Sequence, residues 1–240
     1  MVYLYAITDR PDAPVPPIPG LDGVSLHILA HRDIGAAISP FSKGGMPPTE
    51  DNLWLHEAVL EFLMADRTVL PVRFGTMLAD ESAVRGAIEA KYTDFAADLD
   101  RVRGRVELGL RILWDGDGGR SRPVGAINAA HGSGRAYILD KFEREREVQN
   151  RRRQAETIAG DLDAPLIGLS AESVRHVLTT PRLLLTAAYL VERDSVATFR
   201  EKVEAIGADR PELRFLCTGP WPPFNFVNNK RIPDWPRNGE

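Results

Sequence analysis

A chain of 240 residues, 43% hydrophobic and 27% charged, has the make-up of a globular protein able to bury a real core. Its formal net charge of -4 argues against a nucleic-acid binder with a dominant basic surface. The single cysteine, Cys217, forbids an internal disulfide, suits a reducing cytoplasm and excludes a metal site built on several thiolates.

The opening stretch, "MVYLYAITDRPDAPVPP", has no basic leader and reads as a strand over Val2–Thr8 followed by a proline-rich loop. No apolar run approaches the roughly 18 residues of a membrane span, so neither a membrane nor nucleic acid is expected as a partner. "VSLHILA" and "DIGAAIS" read as two short strands, on which His27 and His31 could meet across a hairpin. Thr49, followed by Glu50 and Asp51, is suited to cap a helix. Its apolar stripe is predicted as Leu55, Ala58, Val59, Phe62 and Leu63, with His56 and Glu57 a partly exposed pair.

"TVLPVRFGT" reads as the next strand, placed by Pro71 at an edge or a bulge. Arg73 lies there between apolar neighbours, and two readings stay open. Either its stem packs on the sheet and its head meets a carboxylate such as Glu57, or it reaches a partner or an anionic ligand. A helix is expected over about 80–100. "RVELGLRILW" then alternates, with Val106, Leu108, Leu110, Ile112 and Trp114 on one face of a half-buried strand.

Residues 119–133, rich in glycine and polar residues, are expected to link an N-terminal α+β sheet domain (1–118) to a C-terminal domain (134–227), with a polar tail at 228–240. The second part reads as a long charged helix from near Ser133, strands at Ser173–Thr179 and Leu183–Val191, a helix over Asp194–Ile206 and a strand over Glu212–Thr218. Tyr137, Ile138, Phe142, Val148, Ala155 and Ile158 give the long helix a narrow contact stripe. That α-β-β-α-β order suggests a ferredoxin-like half-sandwich.

The motifs of familiar chemistry fail on inspection. A zinc-protease helix needs a second histidine four residues after His56, and position 60 is Leu. A calcium loop opening at Asp115 needs Glu at its twelfth position, and Ala126 stands there. "GSGR", Gly132–Arg135, lacks the Lys-Ser/Thr of a phosphate loop. No cofactor is expected, and a set of His56, Glu57 and Arg73 matches no familiar catalytic template.

Near the C-terminus, "GPWPPFNFV" packs three prolines and three aromatic residues into Gly219–Val227. Trp221, Phe224 and Phe226 either plug the chain's own core or are offered to something else. The expectation is a stiff strap that leaves the last strand at Gly219-Pro220, with Phe224 and Phe226 packed and Trp221 turned toward a partner.

Four blocks together, "HEAVLEFLMADRTVLPVRFGTML", "RVELGLRILW", "LLLTAAYLVERDSVATF" and "GPWPPFNFV", resemble the gas vesicle proteins of the F/L type, the GvpF/GvpL family. Phe224 departs from the tyrosine of many relatives, keeping the ring and losing the phenolic donor. The resemblance implies an N-terminal α+β domain and a C-terminal modified ferredoxin-like domain. It also implies a non-enzymatic accessory protein, structural or for assembly, of gas-filled, protein-walled buoyancy organelles. Such a protein resides at the gas vesicle and in the cytoplasm and contacts the small, hydrophobic major shell protein and other accessory proteins. Glu57, Arg73, Phe74, Trp221, Phe224 and Phe226 are the motif residues implied. A ligand-binding regulatory module is the alternative, by fold analogy.

Overall fold

A computed structural model describes residues 1–15, 18–42, 46–114, 134–177 and 183–227. It is an α+β structure divided into two compact units. The first is Met1–Glu107 together with the chain from Trp221 onward, and the second is Leu108–Pro220. The expected linker, 119–133, and the polar tail, 228–240, lie outside the described residues, as do the calcium-like loop and the Thr180-Pro181 turn.

In the first unit, β1 (Val2–Asp9) is buried along its whole length. A strand covered on both faces reads as a continuous apolar run, and the sheet order β2-β3-β1-β4 places it between neighbours. Strands β2 (His27–His31) and β3 (Ile34–Pro40) form an antiparallel hairpin closed through Arg32, which takes a left-handed φ of 56°. His27 and His31 share strand β2 and do not meet. His27 bonds Glu81 instead, and the His31 ring lies against Tyr92.

Strand β4 is shorter than expected, Val69–Pro71, and pairs antiparallel with β1 at the sheet edge. Pro71 lacks an N–H, and at an edge that loses no ladder bond. A short β5 (Met77–Leu78) also pairs with β1.

Helix α1 (Glu50–Met64) begins as expected, with Thr49 Oγ1 accepting from the Asn52 N–H at 3.4 Å. Its buried stripe is His56, Val59, Leu60, Leu63 and Met64, while Ala58 is exposed. The predicted stripe is off by about one residue, because His56 counts as polar in a pattern. Here its ring finds partners for both nitrogens inside the core, and the helix turns to bury it. The helix expected over 80–100 is two, α2 (Glu81–Ala90) and α3 (Tyr92–Val102), separated where Lys91 leaves helical geometry. Val84, Ile88, Phe95, Leu99 and Val102 keep one helical spacing across the break, so the pattern does not show it.

The second sheet has the order β7-β8-β6-β9. Its strands are β6 (Arg105–Trp114), β7 (Glu172–Val177), β8 (Leu183–Glu192) and β9 (Leu213–Trp221). With α4 (Gly134–Ile167) and α5 (Val196–Ala208), the chain order is β-α-β-β-α-β, β6 supplying the first strand. Leu108, Leu110 and Ile112 of β6 pack with Leu162 and Leu166 of α4 and with Phe199 and Val203 of α5. The contact of α4 therefore lies in its last third. Ile138 and Phe142, expected on the stripe, are exposed. Asp163 of α4 is buried and accepts from Tyr189 Oη and Arg175 Nη1, both at 2.8 Å.

Candidate functional site

Two features of the first unit gather the residues singled out in the sequence. The first is the turn after β4. Thr76 N–H and Oγ1 both donate to the Arg73 carbonyl, at 3.3 and 2.7 Å, and close Arg73–Thr76 into a tight turn. Gly75 supplies its left-handed residue, φ 83°, at the third position where a side chain would be strained.

This turn ends the strand earlier than the pattern suggests and swings Arg73 out to solvent. Among the described residues no ion pair joins Arg73 to Glu57, so the half-buried, paired arginine of the first reading is not found. Phe74 is half-buried instead, its ring edge-on to His56 at 5.7 Å and near Tyr3 at 6.3 Å. His56 itself is 2% exposed, not the partly exposed neighbour of Glu57 that the sequence suggested.

The second feature is a cavity of about 300 Å³ lined by Glu57, Leu60 and Glu61 of α1, by Glu107, and by Trp221, Pro222, Phe224 and Asn225. It brings Glu57 together with Trp221 and Phe224, and it excludes Arg73, Phe74 and His56. A catalytic grouping of His56, Glu57 and Arg73 is therefore not assembled.

The aromatic-proline segment is not the extended strap expected. Strand β9 continues through Gly219 and Pro220 to Trp221, and after Pro222 and Pro223 the chain makes a short 3-10 turn, Phe224–Phe226. Phe226 N–H bonds the Pro223 carbonyl at 3.1 Å. Proline supplies fixed φ and no donor, which suits the approach to such a turn.

Two groups anchor this turn. Glu107 accepts from the Asn225 backbone N–H at 2.8 Å and from Asn225 Nδ2 at 2.6 Å. Arg101, paired with Asp98 at 2.7 Å, donates to the Phe226 carbonyl. The three rings then divide. Phe226 is 4% exposed, Trp221 is half-buried, and Phe224 is 36% exposed, so Phe224 rather than Trp221 is the more open ring.

Glu107 is the residue that sequence reasoning passed over. Alternation along β6 puts it on the side opposite Val106 and Leu108, where a polar residue faces solvent, yet it is 6% exposed, and burial raises its pKa above the usual carboxylate range. Its partner lies 118 residues away, so no local signal marks it. Leu53 and Trp54 of α1 are also missed; both are exposed, Trp54 by 62%. The signal for Trp54 was present, because a tryptophan off the apolar stripe of a surface helix has no core to fill.

Among the described residues, no group of three or more His, Cys, Asp or Glu side chains is arranged to hold a metal, and no helix is long and apolar enough to cross a membrane.

The family described as gas vesicle synthesis protein GvpL/GvpF matches residues 1–228. The chain belongs to the GvpL/GvpF family. Gas vesicle protein L of a Streptomyces species is 29% identical, over 94% of this chain and 92% of that protein. Gas vesicle protein F2 of Halobacterium salinarum is 25% identical, over 95% of this chain and 92% of that protein. Crystal structures of GvpF share the fold. That from Microcystis aeruginosa superposes with a TM-score of 0.76 at 23% identity, covering 94% of this chain and 98% of that one. That from an Anabaena species gives 0.75 at 22% identity, covering 94% and 97%. The whole GvpL/GvpF match thus includes both the turn carrying Arg73 and Phe74 and the aromatic-proline segment.

Proposed function

We propose that this protein is a non-enzymatic accessory factor, structural or for assembly, that binds the hydrophobic major shell protein and other accessory proteins while gas vesicles form. It would reside at the vesicle and in the surrounding cytoplasm. Membership of the gas vesicle synthesis family over residues 1–228 carries this reading. The first unit adds a surface suited to it: exposed Leu53, Trp54 and Phe224, with half-buried Trp221 at the cavity wall.

A wall that keeps liquid water out is built from subunits with large apolar surfaces, which aggregate when unpartnered. Each ring moved from water into such an interface contributes about 1.5–3 kcal/mol. A few rings, set against the cost of association, give modest and reversible binding, as a protein that places subunits and lets them go requires. The second unit, with its β-α-β-β-α-β order, we read as the modified ferredoxin-like domain.

The test is genetic and biochemical. Removing the gene from a vesicle-forming strain should abolish or malform vesicles, and tagged full-length protein should co-purify with the major shell protein. Normal, buoyant vesicles in the deletion strain count against the proposal.

A further inference from the structure

We infer that the cavity of the first unit is a socket for one cationic side chain, an arginine, presented by an apolar segment of a partner protein. The inference rests on the docking role proposed above and names its chemistry.

Glu107 drives it. The residue is buried, and among the described residues its two oxygens accept only from the backbone and side-chain amides of Asn225. Neutral donors do not cancel a buried charge, and buried carboxylates are as a rule paired with a cation. Glu57 and Glu61 line the same cavity one helical turn apart, where like charges repel. Among the described residues none of these three carboxylates has an ion-pair partner. All three line the one cavity, with the countercharge still to come.

The rest of the wall says what kind of cation. Trp221 and Phe224 line it with aromatic rings, whose π-systems attract positive charge, and Leu60 and Pro222 are apolar. A volume of about 300 Å³ is at the bottom of the range for small-molecule sites, about 300–1,000 Å³, and suits a single long side chain. A guanidinium is planar, stacks on a ring, and can donate to two carboxylates at once, whereas an ammonium is more strongly hydrated. Exposed Leu53 and Trp54 on the same helix favour apolar residues on either side of the arginine.

Calorimetric titration of the full-length protein tests this with the peptide acetyl-Ala-Leu-Arg-Leu-Ala-amide. Its analogue carrying citrulline keeps the shape and removes the charge. The arginine peptide should bind at least tenfold more tightly than the citrulline peptide, with a lysine peptide between them. The Glu57→Gln/Glu61→Gln variant should lose that preference while its far-ultraviolet circular dichroism is unchanged. Equal binding of the arginine and citrulline peptides, or no binding of the arginine peptide, overturns the inference. So does a preference that survives the double variant.

Binding that emerges only in a Lys230→Gln/Arg231→Gln variant assigns the cation to this chain's own C-terminal segment, and the partner claim falls. The peptides contain no vesicle sequence. Failure of co-purification with the shell protein and failure of arginine selectivity are therefore separate results.

Discussion

The hydroxyl of Tyr3 stands 3.0 Å from Nδ1 of His56, and the bond between them runs in one direction only. Nε2 of the same ring faces the Val72 carbonyl at 3.1 Å. A carbonyl only accepts, so Nε2 carries the hydrogen and Nδ1 must accept from Tyr3. Tyr3 Oη in turn accepts from the Gly75 N–H at 2.9 Å. A single file of bonds thus ties the turn bearing Arg73 and Phe74 to β1 and α1.

Tyr3→Phe removes both bonds of that hydroxyl and leaves a buried imidazole nitrogen and a backbone N–H without partners. A loss of about 1–3 kcal/mol is expected, since an unsatisfied buried group bears its full desolvation cost. Urea denaturation of the full chain measures it, and amide exchange at Gly75 should quicken in the same variant.

Burial brings the His56 pKa down to about 4 from its usual 6.5, because the charged ring is poorly solvated there. The unfolded chain takes up that proton near pH 6.5 and the folded one only near pH 4. Stability from this residue is therefore complete above about pH 6.5 and is lost as pH falls toward 4, by about 3 kcal/mol in all. Denaturation midpoints across pH 4–7 should show the slope. A His56→Gln variant, less stable throughout, should lose this part of it.

The rings of the aromatic-proline segment should separate in mutagenesis. Phe226→Ala empties a buried site and should cost about 3–5 kcal/mol. Phe224→Ala trims an exposed ring and should cost less than about 1 kcal/mol, and on the proposed docking role it should weaken co-purification of the shell protein. Thermal melts and pull-down of the same two variants decide the assignment. A Phe224→Ala protein that melts far below the wild type would place that ring in the core.

In the second unit, Asp163→Ala leaves the buried Tyr189 hydroxyl without its acceptor and frees Arg175. A loss of about 1–3 kcal/mol is expected. Asp163→Asn keeps an oxygen for Tyr189 and should recover part of it, as read by chemical denaturation.

Where neighbours along the chain decide the outcome, the sequence is easy to read. Alternation of Val106, Leu108, Leu110 and Ile112 locates β6, and Phe199 with Val203 locates the buried face of α5. The proline and aromatic residues of 219–227 mark the segment as unusual, though not its shape. What stays hidden depends on groups distant in sequence. His56 looks like a surface residue until Tyr3 and Val72 are placed beside it. Arg73 looks like part of a strand until the Thr76 hydroxyl folds the chain back. Glu107 looks like the outer face of a half-exposed strand until Asn225 covers it.

The first unit takes its last wall from the chain beyond Pro220, after the whole second unit. A ribosome delivers residues in order, about 5–20 each second, so nascent Glu107 waits without Asn225 until the whole second unit has been made. In a transcript cut short before Trp221, the first unit would lack Phe226 and the aromatic side of its cavity. The cavity of the first unit is therefore complete only after the second unit has been made, and a copy that stops before Trp221 has no aromatic wall on which a partner could be held.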